Sequence, residues 1–280
     1  MKKIYVLLMF FLPLNVFACR QMTDILIWKG DRFGLHSEPL SLHSEYDSLW
    51  MQITEILWSV EGGVSTICGQ GYIAEWVILN DSIFLYEIHS CEIDFKINLK
   101  DIFPEIGDNE RLFASWVNGE LYVPQGKEIA DFGRKGLFEY ETVLNVENGV
   151  IKNYETFHNR IVKISDFPVR EFIYKNINWN ILPEIPNYIT VSVGVQPNEQ
   201  GQFESITDTW ITEHPVSNNS LFFDPDTNNV FVKEVIKVVK LIPEWTVIYQ
   251  RGKILPQGTP FGINFSEAIR KRYAQQTNKK

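Results

Sequence analysis

The sequence has no long apolar tract in its body. Beyond the N-terminal segment, no run reaches the roughly 18 apolar residues that cross a bilayer as a helix. It has no G-x-G-x-x-G or Walker-type loop, so no glycine-rich turn is set to cradle nucleotide phosphates. The five histidines, His36, His43, His89, His158 and His214, are dispersed, with no pair one helical turn apart as zinc ligands require. Basic clusters are also scarce. Arg270-Lys271-Arg272 and Lys279-Lys280 read as a solvated tail, and an acidic chain has no electrostatic reason to hold DNA or RNA. There is no fixed-period repeat and no low-complexity segment.

What the chain does have is core material. Of its 280 residues 45% are hydrophobic and 14% aromatic, which argues against disorder and allows one or two domains. It begins "MKKIYVLLMFFLPLNVFAC": two lysines, an apolar run from Ile4 to Leu14, then Val16-Phe17-Ala18-Cys19. This is the layout of a bacterial secretory signal over residues 1–18, too short for a retained span. Two readings of its end stay open. Val-Phe-Ala-Cys resembles a loose lipobox, which would place a lipid on Cys19; Val16 and Ala18 equally suit ordinary cleavage after Ala18. Without residues 1–18 the chain holds 24 basic and 35 acidic residues, a net charge of −11.

Two further cysteines, Cys68 and Cys91, flank "CGQGYIAEWVILNDSIFLYEIHSC". The segment reads as two strands joined at Asn80-Asp81. In that register Cys68 faces Ile93, so a Cys68–Cys91 disulfide needs a bulge or a register change. An oxidising compartment permits the bond; two buried thiols are the other reading.

From residue 24 to about 165 the pattern is mainly β. "SLWMQITEILWSV" fits either a helix or a strand pair, and "INLKDIFPEI" a short helix stopped by Pro104. Asn118-Gly119 and Asn148-Gly149 each sit between apolar runs, so each predicts a hairpin, and three hairpins in sequence predict an antiparallel sheet. From residue 166 the order reads helix, hairpin, helix, strand, strand. Phe172, Ile173 and Ile177 share a helical face. Ile189, Val191, Val193 and Val195 alternate as one strand face, and Val232, Val235, Ile236, Val239 and Ile242 form an apolar helical stripe ended by Pro243. "WTVIYQRGKIL" and "TPFGINF" read as the last strands, and 267–280 as a polar tail.

Residues 168–266 resemble the C-terminal domain of TonB-type energy transducers. "FIYKNINWNILPE" stands for that family's opening helix. Val191, Val193, Val195 and Gly201 match its hairpin; Pro243 and Trp245 match its helix exit; Gly252-Lys253 and Phe265 match its closing strands. Val247 stands where the family often has proline, and the long Pro-rich linker of an energy transducer is missing. The resemblance implies a fold and an interaction role, not energy transduction. The N-terminal region is similar to uncharacterised exported proteins of Bacteroidetes-type bacteria, and no activity comes with that likeness.

Catalytic patterns are incomplete. Ser65 lacks the second glycine of a nucleophile elbow, and Cys68 as a thiol nucleophile with His36 or His89 as base competes with a structural cysteine. Asp224, Asp226 and Asn228 occupy the first positions of a calcium loop, but Asn229 and Val235 stand where glycine and glutamate are needed. A polar loop capping the next helix is the better reading.

The sequence therefore predicts an α+β protein. It comprises a signal (1–18), a mainly antiparallel β domain (19–165), a TonB-like domain with helices on a small antiparallel sheet (166–266) and a polar tail (267–280). The function expected is that of a non-catalytic, exported envelope protein of a Gram-negative bacterium, with no cofactor and no metal. It would bind an envelope protein or an extended peptide by strand addition along Phe261, Gly262, Ile263, Asn264 and Phe265, and would meet the membrane only through a lipid on Cys19. The alternative is a periplasmic enzyme or small-molecule binder with its site in the N-terminal domain or between domains.

Overall fold

A computed structural model of the chain describes residues 22–62, 68–106, 110–131, 135–185, 188–214, 228–258 and 262–277. The cleavage site and Cys19, the loop with Asp224 and Asp226, and Phe261 lie outside the described residues. The chain forms two compact units that divide after Thr156.

The first unit is built on nine strands: β1 (Asp24–Trp28), β2 (Asp31–Leu35), β3 (Ile73–Leu79), β4 (Ser82–His89), β5 (Lys96–Ile97), β6 (Leu112–Phe113), β7 (Gly119–Ala130), β8 (Leu137–Glu147) and β9 (Val150–His158). They make one sheet in the order β2-β1-β3-β4-β9-β8-β7, with β5 and β6 also paired to β4. Helix α1 (Tyr46–Glu61) precedes β3, and α2 (Leu99–Ile102) follows β5. The segment that read equally as helix or strand pair is helix because Leu49, Ile53 and Leu57 recur every fourth residue. All three are buried in one core with Leu26, Trp76 and Ile88. Gly62 ends α1 in a left-handed conformation, its amide donating to the Trp58 carbonyl.

Asn80 and Asp81 both have positive φ, as the tight β3–β4 turn requires, and Asn148-Gly149 does the same between β8 and β9. The third expected hairpin does not form. Asn118-Gly119 is followed by β7, which pairs with β8, while β6 pairs with β4. The Asn118 side chain instead accepts the Asn148 amide at 2.8 Å.

The second unit holds β10 (Arg160–Lys163), α3 (Val169–Asn176), β11 (Tyr188–Pro197), β12 (Phe203–His214), α4 (Val230–Val239), β13 (Val247–Gln250), β14 (Lys253–Ile254), β15 (Gln257–Gly258), β16 (Ile263–Phe265) and α5 (Glu267–Thr277). Val191, Val193 and Val195 of β11 pack against Val232, Val235 and Val239 of α4 in a second core. The span 245–255 is not one strand: β13 turns at Arg251-Gly252 into β14. Residues 267–277, expected as a polar tail, form α5, with Ile269, Tyr273 and Ala274 against the core.

These pairings correct the fold class. The chain is mainly β, 45% strand against 23% helix, and not α+β. The large sheet is mixed, since β1 and β3 run parallel. Nor, among the described residues, do the C-terminal strands make the one small TonB-like sheet expected. The C-terminal strands divide between a three-stranded sheet, β10-β13-β14, and a four-stranded one in which β12, β15 and β16 all pair with β11. Local patterns located the strands, but partner choice is made by residues far apart in sequence, such as Arg160 with Tyr249.

Candidate functional site

A cleft of about 710 Å³ opens in the C-terminal unit. The entry to α3 supplies Phe167, Arg170, Glu171 and Tyr174, and α5 supplies Arg272 and Tyr273. Glu244, Trp245 and Thr246, after α4, line another side, and Gln257 and Gly258 of β15 complete it. The chain around Ser165 is fixed locally: its amide donates to Thr246 Oγ1 at 3.1 Å and its hydroxyl to the Glu244 carbonyl at 3.3 Å.

The aromatic wall is built by stacking. The Tyr174 and Tyr273 rings lie 5.1 Å apart and nearly parallel, and Trp179 stacks on Tyr273 at 6.4 Å. Tyr273 donates its hydroxyl to Glu171 Oε2 at 2.9 Å, and Lys175 pairs with Glu171 at 3.2 Å. These two donors hold the Glu171 carboxyl below its ordinary range. Burial, then the Glu171 acceptor, pushes the Tyr273 hydroxyl up. Glu244 is paired with Lys163 at 3.1 Å. The two carboxylates at the cleft are thus each paired with a lysine.

The proposed edge Gly262 to Phe265 falls beside this cleft but differs in character from an open edge. Ile263 and Phe265 are fully buried in the core. The Asn264 amide donates to the Tyr174 hydroxyl at 2.9 Å, so α3 already occupies a hydrogen-bonding position of β16. On the same edge of β11 as β16 lies β15, whose two residues line the cleft.

Cys68 and Cys91 form a disulfide, with Cα atoms 6.1 Å apart. It is not the hairpin register that brings them together. The strands end at Ile73 and His89, and both cysteines lie in the turns beyond, one closed by the Gly71 amide on the Cys68 carbonyl. A bonded sulfur is no thiolate, so Cys68 has no nucleophilic role beside His36 or His89. Asn229 caps α4, its side chain accepting the Phe231 amide at 2.9 Å, as the helix-capping reading of that loop expects.

Sequence reasoning missed two acidic centres in the N-terminal unit. Glu75 lies between Arg32, at 2.5 Å, and His89 Nε2, at 3.3 Å. His89 Nδ1 sits 3.2 Å from the Ser90 carbonyl. On the other face of β3, Asp24 is buried and accepts from the Ala74 amide, Gln70 Nε2 and Trp76 Nε1. Burial pushes its carboxyl up to about 7. The available signal was a charged residue opening an apolar strand, "DILIW". Among the described residues no three histidine, cysteine or carboxylate side chains converge as a metal site. No family model, curated protein or solved structure matches the chain.

Proposed function

We propose that the chain is a non-catalytic, exported cell-envelope protein whose C-terminal unit binds an extended peptide segment of an envelope partner by strand addition. The observation that carries this reading is the cleft lined by β15, which pairs with β11 on the edge opposite β12. A short strand added there would gain backbone hydrogen bonds, and its side chains would meet Phe167, Tyr174 and Tyr273. Arg170 and Arg272 at the same cleft suit a peptide with acidic residues or a free C-terminal carboxylate. Export rests on residues 1–18 and is supported by the Cys68–Cys91 disulfide, which persists in oxidising compartments.

The test is panning the full chain against ten-residue peptides displayed on phage. Gly258 has open space where a side chain would project, so Gly258→Trp fills the cleft without backbone strain. Enrichment of peptides that is lost with Gly258→Trp supports the reading. Enrichment that survives the variant, or none at all, refutes it.

A further inference from the structure

The turn that leads into β3 is tied down at two points. Cys68 is bonded to Cys91, just beyond β4. Gln70 donates through Nε2 to the buried Asp24 carboxylate at 2.6 Å. The other donors to Asp24, the Ala74 amide at 3.1 Å and Trp76 Nε1 at 3.0 Å, both belong to β3 and move only with the sheet. Of these three donors only Gln70 sits in a turn, two residues after Cys68.

The Gln70 amide is only half satisfied. Its Oε1 is shielded from water and meets no donor among the described residues, a burden that is relieved when the side chain turns outward. The backbone of the turn is anchored separately. The Gln70 carbonyl accepts from the Trp50 indole at 3.0 Å, the Gly71 amide donates to the Cys68 carbonyl, and Met22 bridges to Cys68. Opening the disulfide therefore leaves the turn attached to the fold. Two protonated sulfurs need more room than two bonded ones, and Cys68 is buried, so that room comes from its turn. The Gln70 side chain then has both the freedom and the reason to leave Asp24. The titratable groups facing Asp24 are Glu38, Tyr46 of α1 and Tyr72 before β3. Burial pushes both tyrosine hydroxyls up, so they stay neutral near Asp24. Glu38 adds negative charge, and none of the three is a cation.

We propose that the Cys68–Cys91 disulfide is a redox switch that sets the charge of Asp24: a dithiol reductant opens it, Gln70 withdraws, and Asp24 takes up a proton. Cys91 is the partly exposed partner, so the reductant's thiolate attacks its sulfur. The Cys68–Cys91 bond breaks, a mixed disulfide forms at Cys91, and Cys68 leaves as a thiolate that is protonated. The reductant's second thiolate then displaces Cys91, which is protonated in turn. Two electrons pass to the cysteine pair, and the dithiol becomes a disulfide. The two protons that the reductant loses end on Cys68 and Cys91; the third, bound by Asp24, comes from solvent. Burial pushes the Asp24 carboxyl up to about 7 against the Trp76, Ala74 and Gln70 donors, and loss of the Gln70 donor raises it further. Linkage then requires reduction to become easier as pH falls. The switch lies in the N-terminal unit and does not depend on the peptide cleft.

The experiment brings the full chain to equilibrium with reduced and oxidised dithiothreitol at steps from about pH 6 to pH 8, and reads the reduced fraction by mass after thiol trapping. Thiols on both sides are mostly protonated in this range, so their protons cancel. The equilibrium constant for reduction should rise about three- to fivefold from about pH 8 to pH 6, the linkage expected when a carboxylate loses one donor. Asp24→Asn and Gln70→Ala should each flatten the profile. If Asp24→Asn does not fold by circular dichroism, Gln70→Ala decides. A flat wild-type profile overturns the proposal, as does a slope that either folded variant retains. A constant that falls as pH drops means that reduction unfolds the unit and returns Asp24 to its ordinary value, which also overturns it. So does a disulfide that dithiothreitol leaves intact.

Discussion

Replacing Asp24 with asparagine separates two forces that act on one carboxylate. Burial penalises its charge, while three donors at 2.6 to 3.1 Å favour it. Burial dominates, with a smaller push from the Glu38 charge, and the group rises from 3.8 to about 7. A carboxyl whose folded value lies above its unfolded value contributes its full stability below the unfolded value. That contribution is lost as pH rises through the folded one. A shift of about three units at about 1.4 kcal/mol each amounts to about 4 kcal/mol, lost between about pH 4 and pH 7. Asparagine does not titrate, so the difference in unfolding free energy between wild type and Asp24→Asn should fall by about this amount over that window. Urea denaturation of both chains at steps from about pH 4 to pH 8 gives the difference directly, and groups common to both cancel. A flat difference would mean that the donors offset burial. A difference that grows with pH would mean that they outweigh it, and either result refutes the assignment.

Mass spectrometry of the mature protein should show a chain that begins at Cys19 and two fewer protons from the Cys68–Cys91 bond. Replacing both Cys68 and Cys91 with serine should cost about 3 kcal/mol in urea unfolding, the loop-closure value for a separation of 23 residues. Gly149→Ala should destabilise by about 2 kcal/mol or more, because φ is +75° and the new Cβ would stand 2.5 Å from the Ala114 carbonyl oxygen. Gly30→Ala, also at positive φ but with open space around it, should cost only about 1 kcal/mol. Equal costs for the two would refute the close-approach argument. Glu234→Ala should cost about 2 kcal/mol by stranding the Asn178 amide that Glu234 accepts at 3.1 Å, with thermal melts as the measurement.

Where a signal is local, the sequence is readable. Asn80-Asp81 and Asn148-Gly149 mark turns because their backbone needs are written in two residues. The stripe from Val232 to Ile242 marks α4 because packing repeats every turn. Asn118-Gly119 carries the same turn signal, yet the flanking β6 is captured by β4, and no property of residues 112–119 announces that. The parallel β1–β3 pair is likewise settled by α1 lying between the two strands in sequence. The α5 helix was hidden by its charge, although Ile269 and Tyr273 already stand one turn apart. The contact between Thr207 and Asp208 was illegible for a different reason. Strict alternation puts Thr207 and Asp208 on opposite faces, and only the bulge in β12 brings them together.

The position of α5 bears on how the protein is made. Tyr273 stacks on Tyr174 and Trp179, and Arg270 reaches the carbonyls of Leu182 and Pro183. The core of the C-terminal unit thus lacks part of its wall until some ninety further residues have followed α3 out of the ribosome. The N-terminal unit ends at Thr156 and is complete in sequence much earlier. During that interval the Tyr174 and Trp179 rings lack the Tyr273 ring that stacks on them, and a chaperone that holds unfinished chains would find its binding surface there.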